Sequence, residues 1–152
     1  MVEVGAGDRE QAVDLNGETL QGDDIDLADL RGQVVVINVW GSWCGPCRAE
    51  MPMLVEAEDE LPADETAFVG INIRDASTDN AIAFERDLDV DYPSIYDPGS
   101  VLLDEFGRYT PYAPPTTLVL DRKGRVAALV NGPLPSKSTL ITVVEDVLAE
   151  DE

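Results

Sequence analysis

The sequence predicts one α/β domain, a layered sandwich of helices around a mixed β-sheet, and three observations lead to this prediction. Residues 34–40 form a nearly continuous apolar and β-branched run, as expected for a strand that is buried on both faces of a sheet. In the middle of the chain, strand-like segments alternate with segments of helical periodicity. Near the end, two strands joined by a turn with Gly124 precede a last amphipathic helix. The length of 152 residues fits a single domain.

The N-terminal part of the chain predicts a small hairpin. Asn16-Gly17 suits a type I′ turn, and it lies between candidate strands at residues 12–15 and 18–20. Residues 24–30 then predict a short helical turn that ends at Gly32.

The remaining elements follow from apolar periodicity and from turn residues. The helix that begins near Cys44 contains Pro52, so a kink is expected there. Strands are predicted at residues 34–40, 67–73, 92–96, 116–120 and 125–130, and helices at residues 44–60, 78–88, 100–106 and 138–148.

We expect the folded domain to comprise residues 11–148. The small, polar or acidic residues at 1–10 predict a flexible N-terminal segment, and those at 149–152 predict an acidic C-terminal tail. No apolar run approaches the roughly 18 residues that a membrane span needs. The first eight residues lack the basic and apolar regions of a secretion signal, which by itself suggests a cytoplasmic protein or a chain trimmed of its leader.

The composition excludes several classes of function. The 31 acidic and 10 basic residues give a formal net charge of −21, which repels nucleic-acid phosphates and anionic lipid surfaces. A solvated acidic surface, a salt-adapted source or a basic partner would each account for this charge. The chain has no histidine, which removes Ser–His and Cys–His catalysis and the commonest transition-metal ligand. We expect a monomer with no bound metal and no organic cofactor.

The two cysteines form the strongest chemical signal in the sequence. Cys44 follows a buried strand and lies where a helix begins, so the N–H groups and the dipole of the first turn would stabilise its thiolate. This environment lowers the pKa of such a thiol from about 8.5 towards about 7. Cys47 lies one turn further on and is expected to be more buried. These positions predict that Cys44 attacks a substrate disulfide and that Cys47 resolves the mixed disulfide.

The residues between the cysteines bear on the direction of the reaction. Pro46 fits the first helical turn, where its missing N–H has no partner to lose, and Gly45 adds no charge. This neutral spacer and the acidic surroundings favour a reductant, whereas Arg48 opposes this tendency locally. Two other interpretations of the pair are a staple for a turn and one half of a metal site. No second cysteine pair is present to complete a structural zinc site.

On these residues the chain resembles the thioredoxin superfamily, and within it the TlpA/ResA-like thiol–disulfide oxidoreductases. The resemblance covers roughly residues 10–148. It depends on the run 39–47, on Glu50 with Pro52, and on Pro115-Thr116-Thr117 leading into a strand. It implies a thioredoxin-like three-layer sandwich with a mixed central sheet, an N-terminal hairpin, and a strand–helix insertion near residues 70–100, before a cis-proline.

The resemblance also implies roles for particular residues. Pro115 matches the family's cis-proline, so the Pro114–Pro115 bond is expected to be cis, with the neighbouring backbone at Pro114 and Thr116 pairing with substrate. Asn38 stands where plain thioredoxins have a buried aspartate. Glu50 matches a glutamate of the TlpA/ResA group, and one turn past Cys47 its carboxyl could accept the proton of that thiol. An exposed helix glutamate is the alternative.

Two tryptophans flank this region. Trp40 and Trp43 are expected to pack beside the disulfide and, with Gly45 and Pro46, to shape a shallow apolar surface for substrate, although Trp40 could equally be plain core. Arg74-Asp75 is interpreted as a local ion pair or a loop anchor, with no catalytic role.

The sequence therefore predicts an enzyme that acts on protein disulfides through a redox-active Cys44–Cys47 pair. The resemblance implies an extracytoplasmic reductant that takes part in cell redox homeostasis, is membrane-anchored in its full-length form, receives electrons from a membrane thiol carrier, and serves apocytochrome c in cytochrome c biogenesis. A disulfide-forming oxidant and a non-catalytic interaction domain are the alternatives. A peroxidase would favour an isolated cysteine, and a copper-delivery module would need a histidine.

Overall fold

The computed structural model describes residues 1–150 and confirms the predicted α/β fold. Among these residues, no helix combines the length and the apolar character needed to cross a bilayer. The strands are β1 (Val2–Glu3), β2 (Asn16–Glu18), β3 (Asp24–Asp26), β4 (Val34–Trp40), β5 (Thr66–Ile73), β6 (Ser94–Asp97), β7 (Thr116–Leu120) and β8 (Val126–Asn131), and the α-helices are α1 (Gly45–Glu60), α2 (Thr78–Asp87) and α3 (Lys137–Leu148). Short 3-10 helices occur at Ala6–Asp8, Leu27–Leu30 and Val101–Tyr109.

The main sheet is mixed and has the order β1-β8-β7-β4-β5-β6. Strands β4, β5 and β6 are parallel, whereas β7 pairs antiparallel with both β4 and β8. The predicted insertion supplies α2 and the edge strand β6. Because β4 is hydrogen-bonded on both sides and all its residues are buried, it is a rigid support for the segment that follows it.

The side chains of β4 alternate between two cores, which accounts for its continuously apolar sequence. Val34, Val36 and Trp40 face a core formed with the three α-helices. Val35, Ile37 and Val39 face a second core, closed by residues Val13 and Leu15 and by the 3-10 helices at Leu27–Leu30 and Val101–Tyr109. The result is a three-layer arrangement with α-helices on one face only, and it places the start of α1 at the end of β4.

The N-terminal hairpin exists, but its predicted register was wrong. Asn16 and Gly17 lie within β2, which pairs with β3, and the connecting turn is formed by residues 19–23. Gly17 is needed in the strand because a Cβ at this position would lie 2.6 Å from the Ile95 side chain. Gly22 supplies the positive φ of 91° in the turn. Part of the predicted helical turn at 24–30 is therefore strand β3, followed by a 3-10 turn.

Part of the segment at residues 1–10 is joined to the domain. Strand β1 extends the sheet alongside β8, and the Arg9 side chain is 3% exposed, whereas most of the other residues in this segment are exposed. The Arg9 guanidinium binds Asp121 at 2.9 Å and Glu150 at 2.6 Å. The ion pair holds Glu150, the last described residue of the predicted acidic tail, on the domain; residues 151–152 lie outside the described part of the chain.

Candidate active site

Cys44 lies where β4 gives way to α1, and it caps the helix. Its backbone is extended (φ −94°, ψ 107°), and its Sγ accepts a hydrogen bond from the Cys47 amide at 3.2 Å. The carbonyl of Gly41, one residue past β4, accepts a hydrogen bond from the Cys44 amide at 3.1 Å, and this bond closes a tight turn between strand and helix. The sulfur therefore sits at the positive end of a 16-residue helix, an environment that favours a thiolate.

Cys44 and Cys47 form a disulfide with a Cα–Cα distance of 5.3 Å. Both side chains are largely buried, Cys44 at 5% and Cys47 at 1% exposure, so the order of accessibility is the one predicted. Gly45 and Pro46 between them are exposed. A partner can thus approach over this spacer and reach Cys44 first.

Glu50 lies below the cysteines in α1 and is only 1% exposed, which removes the alternative of a surface glutamate. Its carboxylate accepts the Leu134 amide at 2.7 Å and the Asn38 side-chain amide at 3.2 Å. Burial raises the pKa of Glu50, and these two hydrogen bonds oppose the shift. Glu50 is therefore a buried carboxyl that is held by a strand and by the loop before α3.

Asn38 links this carboxyl to the strand that follows the proline loop. Its Nδ2 also lies 3.4 Å from the Thr117 hydroxyl and 3.5 Å from the Thr116 carbonyl, whereas its Oδ1 has no hydrogen-bond partner among the described residues. The residue that replaces the aspartate of plain thioredoxins thus donates to Glu50 instead of adding a second carboxylate.

The Pro114–Pro115 peptide bond is cis, as predicted. Pro115 is buried and Pro114 is partly exposed. The Pro115 carbonyl accepts the Gly132 amide at 2.9 Å, and the Thr116 hydroxyl donates to the Ala113 carbonyl at 2.7 Å. At Pro114 the predicted pairing with substrate can use only the backbone carbonyl, because proline has no N–H group, and Thr116 is fully buried.

The two tryptophans differ, and Trp40 takes the second of its two predicted places, the core, instead of the surface for substrate. Trp40 is fully buried, donates to the Ser94 hydroxyl at 2.9 Å and stacks on Phe84 at 4.7 Å between ring centroids. Its position in β4 turns it towards the helical core. Trp43 is 50% exposed beside Cys44, and its Nε1 donates to the Ile73 carbonyl at 3.1 Å.

Asp75 is a residue of the site that the sequence interpretation undervalued. It is 5% exposed, and its carboxylate accepts the Ser42 amide at 3.0 Å, the Ser42 hydroxyl, and the Asn72 amide at 2.6 Å. It therefore fixes the turn that leads to Cys44, as a loop anchor and not as half of an ion pair with Arg74. Its place just after β5, which is parallel to β4, was the available signal, since parallel strands end at the same edge.

The grouped residues can exchange a disulfide and move a proton. Within residues 1–150, no three His, Cys, Asp or Glu side chains are grouped so that they could bind a metal ion. The reactive groups are the sulfur at the helix start, the second sulfur one turn below, and a buried carboxyl with a raised pKa.

Comparison with known proteins agrees with this geometry. The profile of the AhpC/TSA family matches residues 9–129, which include both cysteines, Glu50 and Pro115. The thioredoxin-like protein YneN of Bacillus subtilis is 34% identical over 137 residues, covering 89% of this chain and 78% of YneN. The thiol-disulfide oxidoreductase ResA of the same organism is 29% identical over 115 residues, which cover 76% of this chain and 62% of ResA.

Solved structures agree over nearly the whole chain. A DsbF homologue from Corynebacterium diphtheriae superposes with a TM-score of 0.89 at 37% identity, covering 95% of this chain and 91% of that one. A secreted thiol-disulfide isomerase from Corynebacterium glutamicum gives a TM-score of 0.88 at 36% identity, with coverages of 98% and 92%.

Proposed function

The chain belongs to the AhpC/TSA family and is a thiol–disulfide oxidoreductase of the ResA and DsbE/DsbF-like kind; from this premise we propose that it reduces protein disulfides outside the cytoplasm. The observation that carries the proposal is the Cys44 sulfur, which caps α1, accepts the Cys47 amide and is covalently paired with Cys47. The redox-active pair itself is the reactive group, so the reaction needs no metal or organic cofactor.

The reaction has two exchange steps. In the reduced protein, the Cys44 thiolate attacks one sulfur of a substrate disulfide, which forms a mixed disulfide and releases the other substrate sulfur as a thiolate. The Cys47 thiolate then attacks the Cys44 sulfur, which forms the Cys44–Cys47 disulfide and releases the second substrate thiolate. Two electrons pass to the substrate, whose two thiolates take up protons.

Glu50 acts in the second step. Cys47 is buried and must lose its proton before it attacks. Burial raises the pKa of Glu50, which makes its carboxylate a stronger proton acceptor than an exposed one, and acceptance of that proton is general-base catalysis. Asn38 and the Leu134 amide position the carboxylate and stabilise the charged form that accepts the proton.

The direction proposed is reduction. The spacer between the cysteines carries no charge, and the formal charge of −21 opposes a strongly stabilised thiolate. Proteins with poorly stabilised thiolates have potentials near about −270 mV, whereas strong oxidants lie near about −120 mV. We therefore expect a potential below about −180 mV. A higher value would favour the alternative, a disulfide-forming oxidant.

The same proposal includes where the protein works and which molecules it exchanges electrons with. The isomerase from Corynebacterium glutamicum is described as secreted, which supports work outside the cytoplasm. Oxidation of Cys44 and Cys47 in each cycle requires a donor that returns two electrons, for which we propose a membrane thiol carrier. Protein thiols and disulfides, including those of apocytochrome c, are the proposed substrates of the monomer.

Insulin reduction with dithiothreitol tests the activity. We expect turnover by the wild type, none by Cys44→Ser, and a trapped mixed disulfide with Cys47→Ser. Equal activity in the three proteins would leave a non-catalytic interaction domain. Capture of partners with Cys47→Ala in the native cell envelope then tests the proposed substrates, and recovery of only cytoplasmic proteins would overturn the location.

A further inference from the structure

An exposed aromatic ring and an arginine lie next to the reactive disulfide. Trp43 immediately precedes Cys44 and keeps half of its surface exposed, although its indole N–H is fixed by the Ile73 carbonyl. The Arg74 guanidinium lies over this indole, 5.8 Å from the ring centroid. We call Trp43 and Arg74 the docking ledge.

The positive charge of Arg74 is available to bind a carboxylate of another molecule. Its side chain is exposed, and within residues 1–150 no carboxylate lies within ion-pair distance of its guanidinium. The chain carries 31 acidic residues, so carboxylates are abundant elsewhere on the surface. A cation that is stacked on an indole and unpaired can accept a carboxylate from another molecule.

The backbone at Arg74 supports a role for this side chain. Its φ of 53° lies in the left-handed region, which favours glycine over residues with a Cβ. The next residue, Asp75, turns inward and binds Ser42. The two neighbouring charges therefore separate, with Asp75 holding the turn before Cys44 and Arg74 facing the solvent above Trp43.

We propose that the docking ledge binds the polypeptide beside a substrate disulfide and prefers a carboxylate side chain close to the substrate cysteine. This inference rests on the proposed function and narrows its substrate class. A planar guanidinium matches a carboxylate with two parallel hydrogen bonds, and the indole face offers apolar contact to the adjoining chain. At an ionic strength of about 0.15 M, charges beyond about 8 Å are largely screened, so the contact at Arg74 outweighs repulsion from distant carboxylates.

Matched peptides test the inference. Each carries one disulfide and differs only in Glu, Gln or Lys placed two residues before or after the cysteine, and reduction is followed at about 0.15 M ionic strength. We expect the Glu peptide to have a KM about two- to fivefold below that of the Gln peptide, and the Lys peptide to have a higher KM. In Arg74→Gln, the KM of the Glu peptide should rise to that of the Gln peptide.

Arg108 provides a matched control. It is exposed, and its guanidinium carbon lies 5.8 Å from the Tyr109 ring centroid, the same distance as between Arg74 and Trp43. Tyr109 and Val126 line the same cavity, and Val126 is at the start of β8. The other end of β8, at Asn131, is the end that pairs with Thr116 beside the proline loop of the active site. Arg108→Gln should therefore keep the preference for the Glu peptide.

The outcomes separate docking from an effect on the sulfur. If Arg74 acted only by stabilising the Cys44 thiolate, Arg74→Gln would slow all three peptides by the same factor, and the inference would be overturned. Equal KM values for the Glu and Gln peptides in the wild type, or an equal loss of preference in Arg108→Gln, would also overturn it. If the wild type reduced none of the peptides and no insulin, the proposed function itself would fail.

Discussion

Removal of the Asp75 carboxylate, which anchors the turn before Cys44, should destabilise the protein. In Asp75→Ala, the Asn72 amide loses its acceptor while its residue stays fully buried, so water cannot replace the bond. The Ser42 amide and hydroxyl lose the same acceptor, but Ser42 is only partly buried and can reach water. The largest cost is therefore expected at Asn72.

The magnitude follows from these contacts. A buried donor left without a partner costs about 1–3 kcal/mol, and hydrogen bonds to a charged group contribute about 1.5–3 kcal/mol each. Because Ser42 can be hydrated, we expect Asp75→Ala to lower the free energy of unfolding by about 2–4 kcal/mol. A domain of this length loses roughly 2–4 °C in Tm per kcal/mol, so Tm should fall by about 5–15 °C.

Urea denaturation and thermal unfolding of the oxidised protein measure this change, with Asp75→Asn as the control. Asparagine keeps the shape and one carbonyl acceptor, so its loss should be about half that of alanine. Because the turn before Cys44 loosens, kcat/KM for insulin should also fall about tenfold in Asp75→Ala. A change in unfolding free energy below about 0.5 kcal/mol for Asp75→Ala would refute the anchoring role.

Three further predictions concern the other buried charges. Glu50→Gln should slow resolution of the mixed disulfide by about 10–100-fold without unfolding the protein, as measured by rapid-quench kinetics; an unchanged pH–rate profile would contradict general-base catalysis. Arg9→Met should lower the free energy of unfolding, measured in urea, by about 3 kcal/mol, because the buried Asp121 carboxylate loses one of the cations that offset its charge. As a control, replacement of an exposed arginine in Arg86→Met should change this free energy by less than about 0.5 kcal/mol. Burial raises the pKa of Glu85 to about 6, above its value of 4.5 in the unfolded chain, so its ionisation destabilises the fold as pH rises through this interval. The Tm of Glu85→Gln relative to wild type should therefore be higher at pH 7 than at pH 4.5, and a pH-independent difference would contradict this.

The parts of the fold that could be predicted from sequence are those governed by local patterns. The apolar run of β4 and the Gly45-Pro46 start of α1 placed the cysteines correctly, because burial on both faces and helix capping leave local marks. The hairpin was misplaced because Asn16-Gly17 fits a tight turn, whereas the glycine is needed for close approach to Ile95 in a distant strand. That requirement exists only once β2 packs against β6.

The candidate site shows the same division. Cys44 and Cys47 are three positions apart in the sequence and were assigned from it, and the position of Glu50 one turn further followed from helix geometry. The contact between Glu50 and the Leu134 amide joins residues that are 84 positions apart, and no local pattern encodes it. The sequence left open whether Trp40 lies beside the disulfide or in the core, because sequence distance from Cys44 does not reveal which face of β4 a side chain occupies.

The ion pairs of Arg9 have a practical consequence for handling the molecule. Asp121 follows Leu120, which pairs with Val35 near the start of β4, whereas the disulfide follows the other end of that strand. Seven residues of strand separate the two ends, a span of about 23 Å. A fluorophore or surface linker attached at Glu150 would therefore lie at the end of the domain remote from the sulfurs, and immobilised protein would present its thiols to the bulk solution.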